Sequence, residues 1–331
     1  MEANPQGITR IISEQFGISR QAANKHLKRL VEEGVLTPVG RTKDRTYELA
    51  ILTSWKKTYP IVPGMEEHEI WQRDVAPVLG ELPPNVRDIW QFCVTEMINN
   101  AIDHSNGSSI EVSIGKTAVN ALIVVSDDGI GIFRKIQSAM GLADESHAIL
   151  ELSKGKLTTD PRSHSGQGIF FTSRMLDSFT IHSGALVFLH DSVLTNDWLL
   201  NEAPVAGTQV LMRLNHHSSR SDRQVFDEYS SGEDYGFTKT VIPVRLAQYG
   251  EDKLVSRSQA KRLLVRVDRF KTVVFDFTGV EMIGQAFADE IFRVFAQSHP
   301  QIEITGIKAT PQIQGMINAA RAHWGDQIGG I

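Results

Sequence analysis

The stretch FCVTEMINNAIDHS, residues 92–105, decides the fold because it predicts an amphipathic helix from Pro84 to Ser105. Its apolar residues recur at helical spacing and predict one buried face: Val94, Met97, Ile98, Ala101 and Ile102. Glu96, Asn100 and Asp103 fall together on the opposite face, within about 60° of one another at 100° per residue. Such oxygen atoms can ligate a hard cation, and a carboxylate can orient a water that attacks phosphate.

Two predicted strands, Ile110–Gly115 and Ala121–Ser126, follow this helix. The second strand runs directly into Asp127, with Gly129 and Gly131 at alternate positions after it. A carboxylate at a strand end, followed by glycines, lets the backbone approach a flat ligand closely.

A second glycine pair, Gly166 and Gly168, opens a predicted helix that runs towards Leu176. Free N–H groups and the helix dipole both favour anions at such a helix start, which predicts a phosphate-binding end. A last strand of this segment begins at Gly207 and Thr208.

These four motifs occur in one order and resemble the N box and the three glycine boxes of the GHKL ATPase superfamily. That superfamily includes the DNA gyrase ATPase subunit, heat-shock protein 90, mismatch-repair ATPases, histidine kinases and anti-sigma-factor serine kinases. The resemblance spans about residues 65–215. It implies an α/β sandwich with helices on one face of a mixed sheet.

The resemblance also implies ligands and roles for residues of the N box and of the first glycine box. ATP would bind with Mg²⁺, which Asn100 would ligate, and Glu96 would act as the general base or orient the water. Asp127 would hydrogen-bond the adenine amino group, and Gly129 and Gly131 would allow close approach of adenine and ribose.

The remaining implied contacts lie further along the chain. Gly166 and Gly168 would cradle phosphates, and Thr208 would support the adenine site. Asp103 is a further cofactor neighbour, and residues 133–165 would form a lid. The phosphate loop carries Phe170 where the glycine run typical of histidine kinases would continue, and the sequence predicts no long upstream helix with a phosphoacceptor histidine.

Residues 1–60 predict a separate DNA-binding unit. They carry ten Lys/Arg against six acidic residues, a net charge of +4, while the rest of the chain carries −9. A short helix from Ile8, a turn at Gly17 and a basic helix after Ser19 follow the helix-turn-helix order. The phrase SRQAANKHLKRLVEEGVL resembles winged helix-turn-helix domains of bacterial regulators. The candidate DNA contacts on the helix and on the basic hairpin after it are Arg20, Gln21, Asn24, Lys25, Lys28, Lys43 and Arg45.

Residues 223–331 alternate predicted strands and helices, which indicates a small α/β domain. The phrase DFTGVEMIGQAFADEIFRVF resembles the strand-loop-helix of STAS domains, and the segment is similar to STAS-like domains often fused to GHKL ATPases. Gln285 stands where phosphorylated antagonists carry serine, so covalent marking there is not expected. We expect this domain to contact a protein partner and its helix Gln285–Ala296 to dock on the lid. The protein could also form a homodimer, and the sequence leaves this question undecided.

The sequence as a whole indicates an α+β multidomain protein acting in the cytoplasm. Its 331 residues include a single cysteine, Cys93, and no apolar run near the roughly 18 residues that a membrane span needs.

The leading hypothesis is a regulator in which an ATP switch links a DNA-binding unit to a STAS-like module. The alternatives are a protein-serine kinase acting in trans and an ATPase whose first unit binds protein. The operator, the signal and the fate of ATP stay open.

Overall fold

The computed structural model describes residues 7–40, 45–157, 166–192, 196–230, 236–248 and 253–328. Three units follow one another as predicted: helices with a β-hairpin, a unit around a five-stranded sheet, and a smaller unit around a three-stranded sheet. Within these ranges, none of the helices combines the length and apolarity that a bilayer crossing requires.

The first unit contains two helices and a two-stranded antiparallel hairpin: α1 (Ile8–Phe16), α2 (Arg20–Glu32), β1 (Leu36–Val39) and β2 (Thr46–Leu49). The Ser19 side chain caps α2 by accepting a hydrogen bond from the Ala22 N–H, as its sequence position predicts. A small core of Ile8, Leu27 and Leu36 holds the unit together. The expected wing residue Lys43 lies outside the described residues.

The strand β3 (Thr53–Pro60) belongs to the central sheet, although the sequence boundary was expected at residue 60. It pairs antiparallel with β4 (Ser109–Lys116) along its whole length. The proline-rich stretch after residue 60 therefore connects two elements of the same unit. A composition break marks a loop, and only the pairing partner reveals on which side of the loop a unit begins.

The central unit continues with a helix that contains a π-helical turn at Trp71–Val75, then alternates helices and strands. We label the first helix α3; it comprises Glu67–Ile70, that turn and Ala76–Leu79. The later elements are α4 (Pro84–His104), β4, β5 (Asn120–Asp127), α5 (Ile132–Met140), α6 (Glu145–Lys154), α7 (Gly168–Met175), β6 (Ser178–Asp191) and β7 (Asn196–Asn215).

The central sheet has the order β3-β4-β5-β7-β6, and every neighbouring pair is antiparallel. The expectation of a mixed sheet was wrong on this point. A short turn joins β4 to β5, and only residues 192–195 separate β6 from β7; connections this short join antiparallel neighbours. On β4, buried Ile110, Val112 and Ile114 alternate with more exposed residues, so helices cover one face.

The last unit alternates strands and helices as predicted. Its elements are α8 (Asp222–Tyr229), β8 (Lys239–Pro243), α9 (Arg257–Leu264), β9 (Thr272–Asp276), α10 (Gln285–Asp289, continued through π-helical Glu290–Phe295), β10 (Glu303–Ile307) and α11 (Pro311–Ile328). The three strands are parallel in the order β10-β9-β8.

One continuous hydrophobic core joins the central and last units. At their junction the Phe170 ring lies 4.7 Å from Phe237 and 4.9 Å from Tyr229, and Phe171 lies 5.0 Å from Phe237, between ring centroids. Phe170 thus packs against the last unit, which gives a structural reason for a large apolar residue at this position of the glycine motif.

Candidate functional site

A cavity of about 300 Å³ lies between α4, the end of β5, α5 and the start of α7. Its walls combine apolar side chains with a few converging polar groups, which is typical of a small-molecule site. The apolar side chains come mainly from the sheet and α5: Val125, Ile132, Ile136, Ile181 and Val210.

Helix α4 brings Glu96 and Asn100 to the cavity wall, one turn apart. Met97 and Ala101 also touch the cavity, while Val94 and Ile98 are buried in the core, as the helical pattern predicts. The Asn100 amide nitrogen is buried with no hydrogen-bond partner among the described residues. A buried amide without a protein partner is costly unless a ligand satisfies it.

Asp127 ends β5 and faces the same cavity. Its Oδ1 accepts hydrogen bonds from the backbone N–H groups of Gly129, at 2.9 Å, and Thr208, at 3.2 Å. Burial raises the pKa of Asp127, and these hydrogen bonds offset part of the rise. The side chain is therefore held rigidly while it still lines the pocket.

Thr208 supports this end of the site from β7. It is buried, and its Oγ1 accepts a hydrogen bond of 3.0 Å from the Ile132 N–H at the start of α5. The preceding Gly207 has φ +65°, and a β-carbon there would overlap the backbone oxygen of Asp127. Only glycine lets β7 pass this close to Asp127.

The structure places Gly129 and Gly131 behind the cavity, since neither lines it. A β-carbon on Gly129 would overlap the Ser105 backbone oxygen. Gly131 has φ +88°, and a β-carbon on it would lie 2.6 Å from Oγ of Ser183. These glycines let the turn pack against neighbouring backbone and side chains and so position Asp127.

Gly166 and Gly168 both line the cavity. Gly166 has φ +68°, and its carbonyl accepts a hydrogen bond of 3.0 Å from the Leu157 N–H. A β-carbon on Gly168 would overlap Oε2 of Glu96, so this carboxylate lies directly against the start of α7. A negative group and the unpaired N–H groups of a helix start thus share one end of the pocket.

Asp103 is not brought into the cavity. It is exposed on the last turn of α4, whereas the next residue, His104, lines the pocket. The sequence also missed Lys135 of α5, whose Nζ donates to the His104 carbonyl at 2.6 Å and to Asn106 Oδ1 at 3.1 Å. Burial lowers the pKa of Lys135, and Asp103 opposes this shift through its charge. Lys135 lies about one helical turn after Gly131, and this spacing is the sequence signal that could have identified it.

The donor set fits ATP with Mg²⁺. Among the described residues there is no group of three or more His, Cys, Asp or Glu side chains that could hold a metal alone. Mg²⁺ in nucleotide sites is commonly held by one or two protein ligands together with phosphates and waters. Asn100 fits that arrangement with its amide oxygen as the metal ligand, while its buried amide nitrogen can donate a hydrogen bond to a phosphate oxygen.

The candidate DNA contacts lie on the solvent side of the first unit. Arg20, Gln21, Asn24, Lys25 and Lys28 are all exposed on α2, and Arg45 is exposed before β2. The opposite side of α2 carries buried Ala23 and Leu27. Asn24 Oδ1 accepts a hydrogen bond of 2.9 Å from Thr9 Oγ1, which restrains this amide against α1.

Comparisons with known families agree with the order of the three units. Residues 9–37 match the model of a winged helix-turn-helix DNA-binding domain, and residues 70–187 match that of a histidine kinase-like ATPase domain. Residues 259–314 match a STAS-like domain of unknown function (DUF4325). Comparison with curated proteins gives no significant match. The chain therefore contains these three domains in the order that the sequence predicts.

Proposed function

We propose that this protein is a regulator in which Mg-ATP binding in the central domain links DNA binding by the first domain to the STAS-like domain. The observation that carries this proposal is the convergence of Glu96, Asn100, Asp127 and Thr208 on one cavity, with the glycine start of α7 against Glu96. Acting on DNA and ATP, such a protein would work in the cytoplasm, and its one buried thiol suits a reducing compartment.

Each polar group has a distinct part in this proposal. Asn100 would ligate Mg²⁺ on the phosphates, and Asp127 would accept a hydrogen bond from the adenine amino group. Glu96 would orient a water or accept its proton at the phosphate end. When bound, Mg²⁺ would neutralise phosphate charge and hold the γ-phosphate in position.

Calorimetric titration of the full chain with Mg-ATP and with a non-hydrolysable analogue tests this proposal. We expect Asn100→Ala to weaken binding strongly, because the metal contact and the buried amide are both lost. We expect Glu96→Gln to retain binding and to slow turnover, because a base acts on water rather than on the bound ligand. Asn318→Ala removes an exposed amide on α11 and is the matched control. No binding by the unaltered chain would refute the proposal.

A protein-serine kinase acting on a separate partner is the second candidate. The contact between Glu96 and the start of α7 favours it, since a base at the phosphate end can activate a serine hydroxyl as well as water. Gln285, exposed at the first turn of α10, cannot itself accept phosphate. Incubation with γ-labelled Mg-ATP and candidate partner proteins separates the two, because only a kinase transfers label to protein.

A further inference from the structure

We infer that the STAS-like domain sets the shape of the phosphate end of the nucleotide pocket through a buried clamp on residues 152–157, which we call the strap. This inference rests on the proposed function, since it concerns how the same site is regulated. It assigns Lys154 as a positioning residue, with no contact to the nucleotide itself.

The strap has two faces. Leu152 and Leu157 line the nucleotide cavity. Between them, Lys154 and Lys156 direct their side chains to the last domain, although both lie in the predicted lid. A shift of the strap therefore changes the cavity wall and the domain contact together.

Lys154 ends α6 and is almost fully buried, with 2% of its surface exposed. Its Nζ donates to Glu151 Oε1 at 2.6 Å and to the carbonyls of Arg262 and Val265 at 3.1 and 3.0 Å. These three acceptors satisfy all three hydrogens of the ammonium group. Burial lowers the pKa of Lys154, and Glu151 opposes that shift.

The two carbonyls lie at the end of α9, where helix carbonyls carry partial negative charge; the Arg262 carbonyl also accepts a hydrogen bond of 3.4 Å from the Val265 N–H. Lys154 thus caps a helix of another domain. Its own carbonyl accepts a hydrogen bond of 2.7 Å from the buried Thr240 on β8. The last domain therefore binds both the ammonium group and the backbone carbonyl of Lys154.

The rest of the strap is held in the same way. Lys156 Nζ donates to the Arg269 carbonyl at 2.8 Å and lies 4.6 Å from the Phe270 ring centroid. Arg266 donates back to the Lys156 carbonyl at 2.9 Å. Between the lysines, Gly155 has φ +78°, and a β-carbon there would lie 2.6 Å from the Phe237 ring.

A chain of contacts leads from this clamp to the chemistry. The Leu157 N–H donates to the Gly166 carbonyl, and Gly168, two residues on, lies against Glu96. Helix α7 begins at Gly168, and its Phe170 ring packs against Phe237 of the last domain. The helix Gln285–Ala296, which was expected to dock on the lid, has no role in this clamp; β8 and residues 262–270 provide it.

The consequence is a reciprocal coupling. If docking of the last domain favours the ATP-binding geometry, bound ATP favours docking by the same factor. Typical couplings change affinity by about 5- to 150-fold.

The test uses full-length variants and Mg-ATP titration. Glu151→Met with Lys154→Met removes both buried charges at similar volume, which spares the cost of an unpaired ion. Thr240→Val is a milder variant that removes one hydrogen bond and keeps the side-chain shape. Lys271→Met removes an exposed lysine of the same domain and is the matched control.

We expect weaker Mg-ATP binding in both clamp variants, within the range above, and wild-type binding in the control. Hydrogen exchange should show ATP-dependent protection of residues 257–270 in the wild type, and this protection should be absent from the double variant. If the clamp contacts served only to pack the two domains together, the clamp variants would have lower melting temperatures but would keep the ATP-dependent protection.

Equal affinities in the wild type and in a folded Thr240→Val variant, with equal protection, would overturn the clamp and leave ATP binding standing. Failure of the wild type to bind Mg-ATP would instead overturn the proposed function and the clamp with it. If the double variant does not fold, Thr240→Val alone decides the outcome.

Discussion

Two adjacent carboxylates, Asp127 and Asp128, show how neighbours in sequence acquire opposite properties. Burial raises the pKa of Asp127, whereas hydrogen bonds from Ser108 and Ser109 lower the pKa of exposed Asp128. Both backbone N–H groups and both hydroxyls of these serines donate to Asp128, at 2.6 to 3.0 Å. Asp128 therefore fixes a loop, and Asp127 is the carboxylate available to a ligand.

The raised pKa of Asp127 predicts that ATP affinity depends on pH. In the proposed function the adenine amino group donates to the Asp127 carboxylate, which accepts more strongly when ionised, so protonation of Asp127 would weaken binding. Affinity should fall as pH falls through the raised pKa, by about tenfold per pH unit once the group is mostly protonated. Titration calorimetry across pH should show a flatter profile for Asp127→Asn. Asp88→Asn, which alters an exposed carboxylate of α4 outside the cavity lining, should keep the wild-type profile.

A second prediction concerns Gly207. An alanine there would hold a positive φ and overlap the Asp127 backbone oxygen. We expect Gly207→Ala to destabilise the protein by about 1–3 kcal/mol, the usual cost of a strained backbone position. In urea unfolding, Gly115→Ala on β4 should have little effect, because a β-carbon there meets nothing within 4 Å. Similar losses in both variants would contradict the close-approach explanation.

Among the elements, helix α2 and the hairpin after it make separable predictions about DNA. Arg45→Ala should weaken binding to all sequences about equally and reduce the salt dependence, because phosphate contacts release counterions. Asn24→Ala and Gln21→Ala should change sequence preference, because amide side chains can pair with adenine edges.

Gel shifts of the full chain over a salt series and a set of duplexes measure both effects. Arg10→Ala removes a positive charge from α1, where it pairs with Glu14 on the surface, and should leave sequence preference unchanged. If Arg45→Ala and Arg10→Ala behave alike, the hairpin does not contact phosphate.

Most elements were predictable because their signals are local. The apolar period of α4, the Ser19 cap and the alternation of the last domain each lie within a few residues. The pairing of β3 with β4 and the antiparallel order of the sheet depend on partners far along the chain. Nothing in the sequence near residue 60 identifies those partners.

The residues of the candidate site were also predictable in part, where the signal is a local motif. The structure brings Glu96, Asn100, Asp127 and Gly168, which the motifs single out, to one cavity, and their roles there stay predictions. The motifs did not reveal that Gly129 supports the site from behind, or that Asp103 lies outside it. The partners of Lys154 are more than 100 residues away, so a lysine in a lid could not be distinguished from a solvated one.

For the molecule as a whole, two separate cores predict two unfolding transitions. The first domain has its own small core, and the other two domains share one. Differential scanning calorimetry with Mg-ATP should shift only the larger transition. At 100 times the dissociation constant the stabilisation should be about 2.7 kcal/mol. An equal shift of both transitions would show that the first domain does not unfold independently of the other two.

The shared core also determines what recombination can exchange. A crossover near residue 50 falls between the two hydrophobic cores. A different DNA-binding domain can therefore replace the first one without repacking of the rest of the chain. A crossover near residue 220 would divide the aromatic contacts of Phe170 and Phe171 with Phe237. Lineages that swap parts would therefore be expected to vary the first domain freely and to inherit the other two as a single piece.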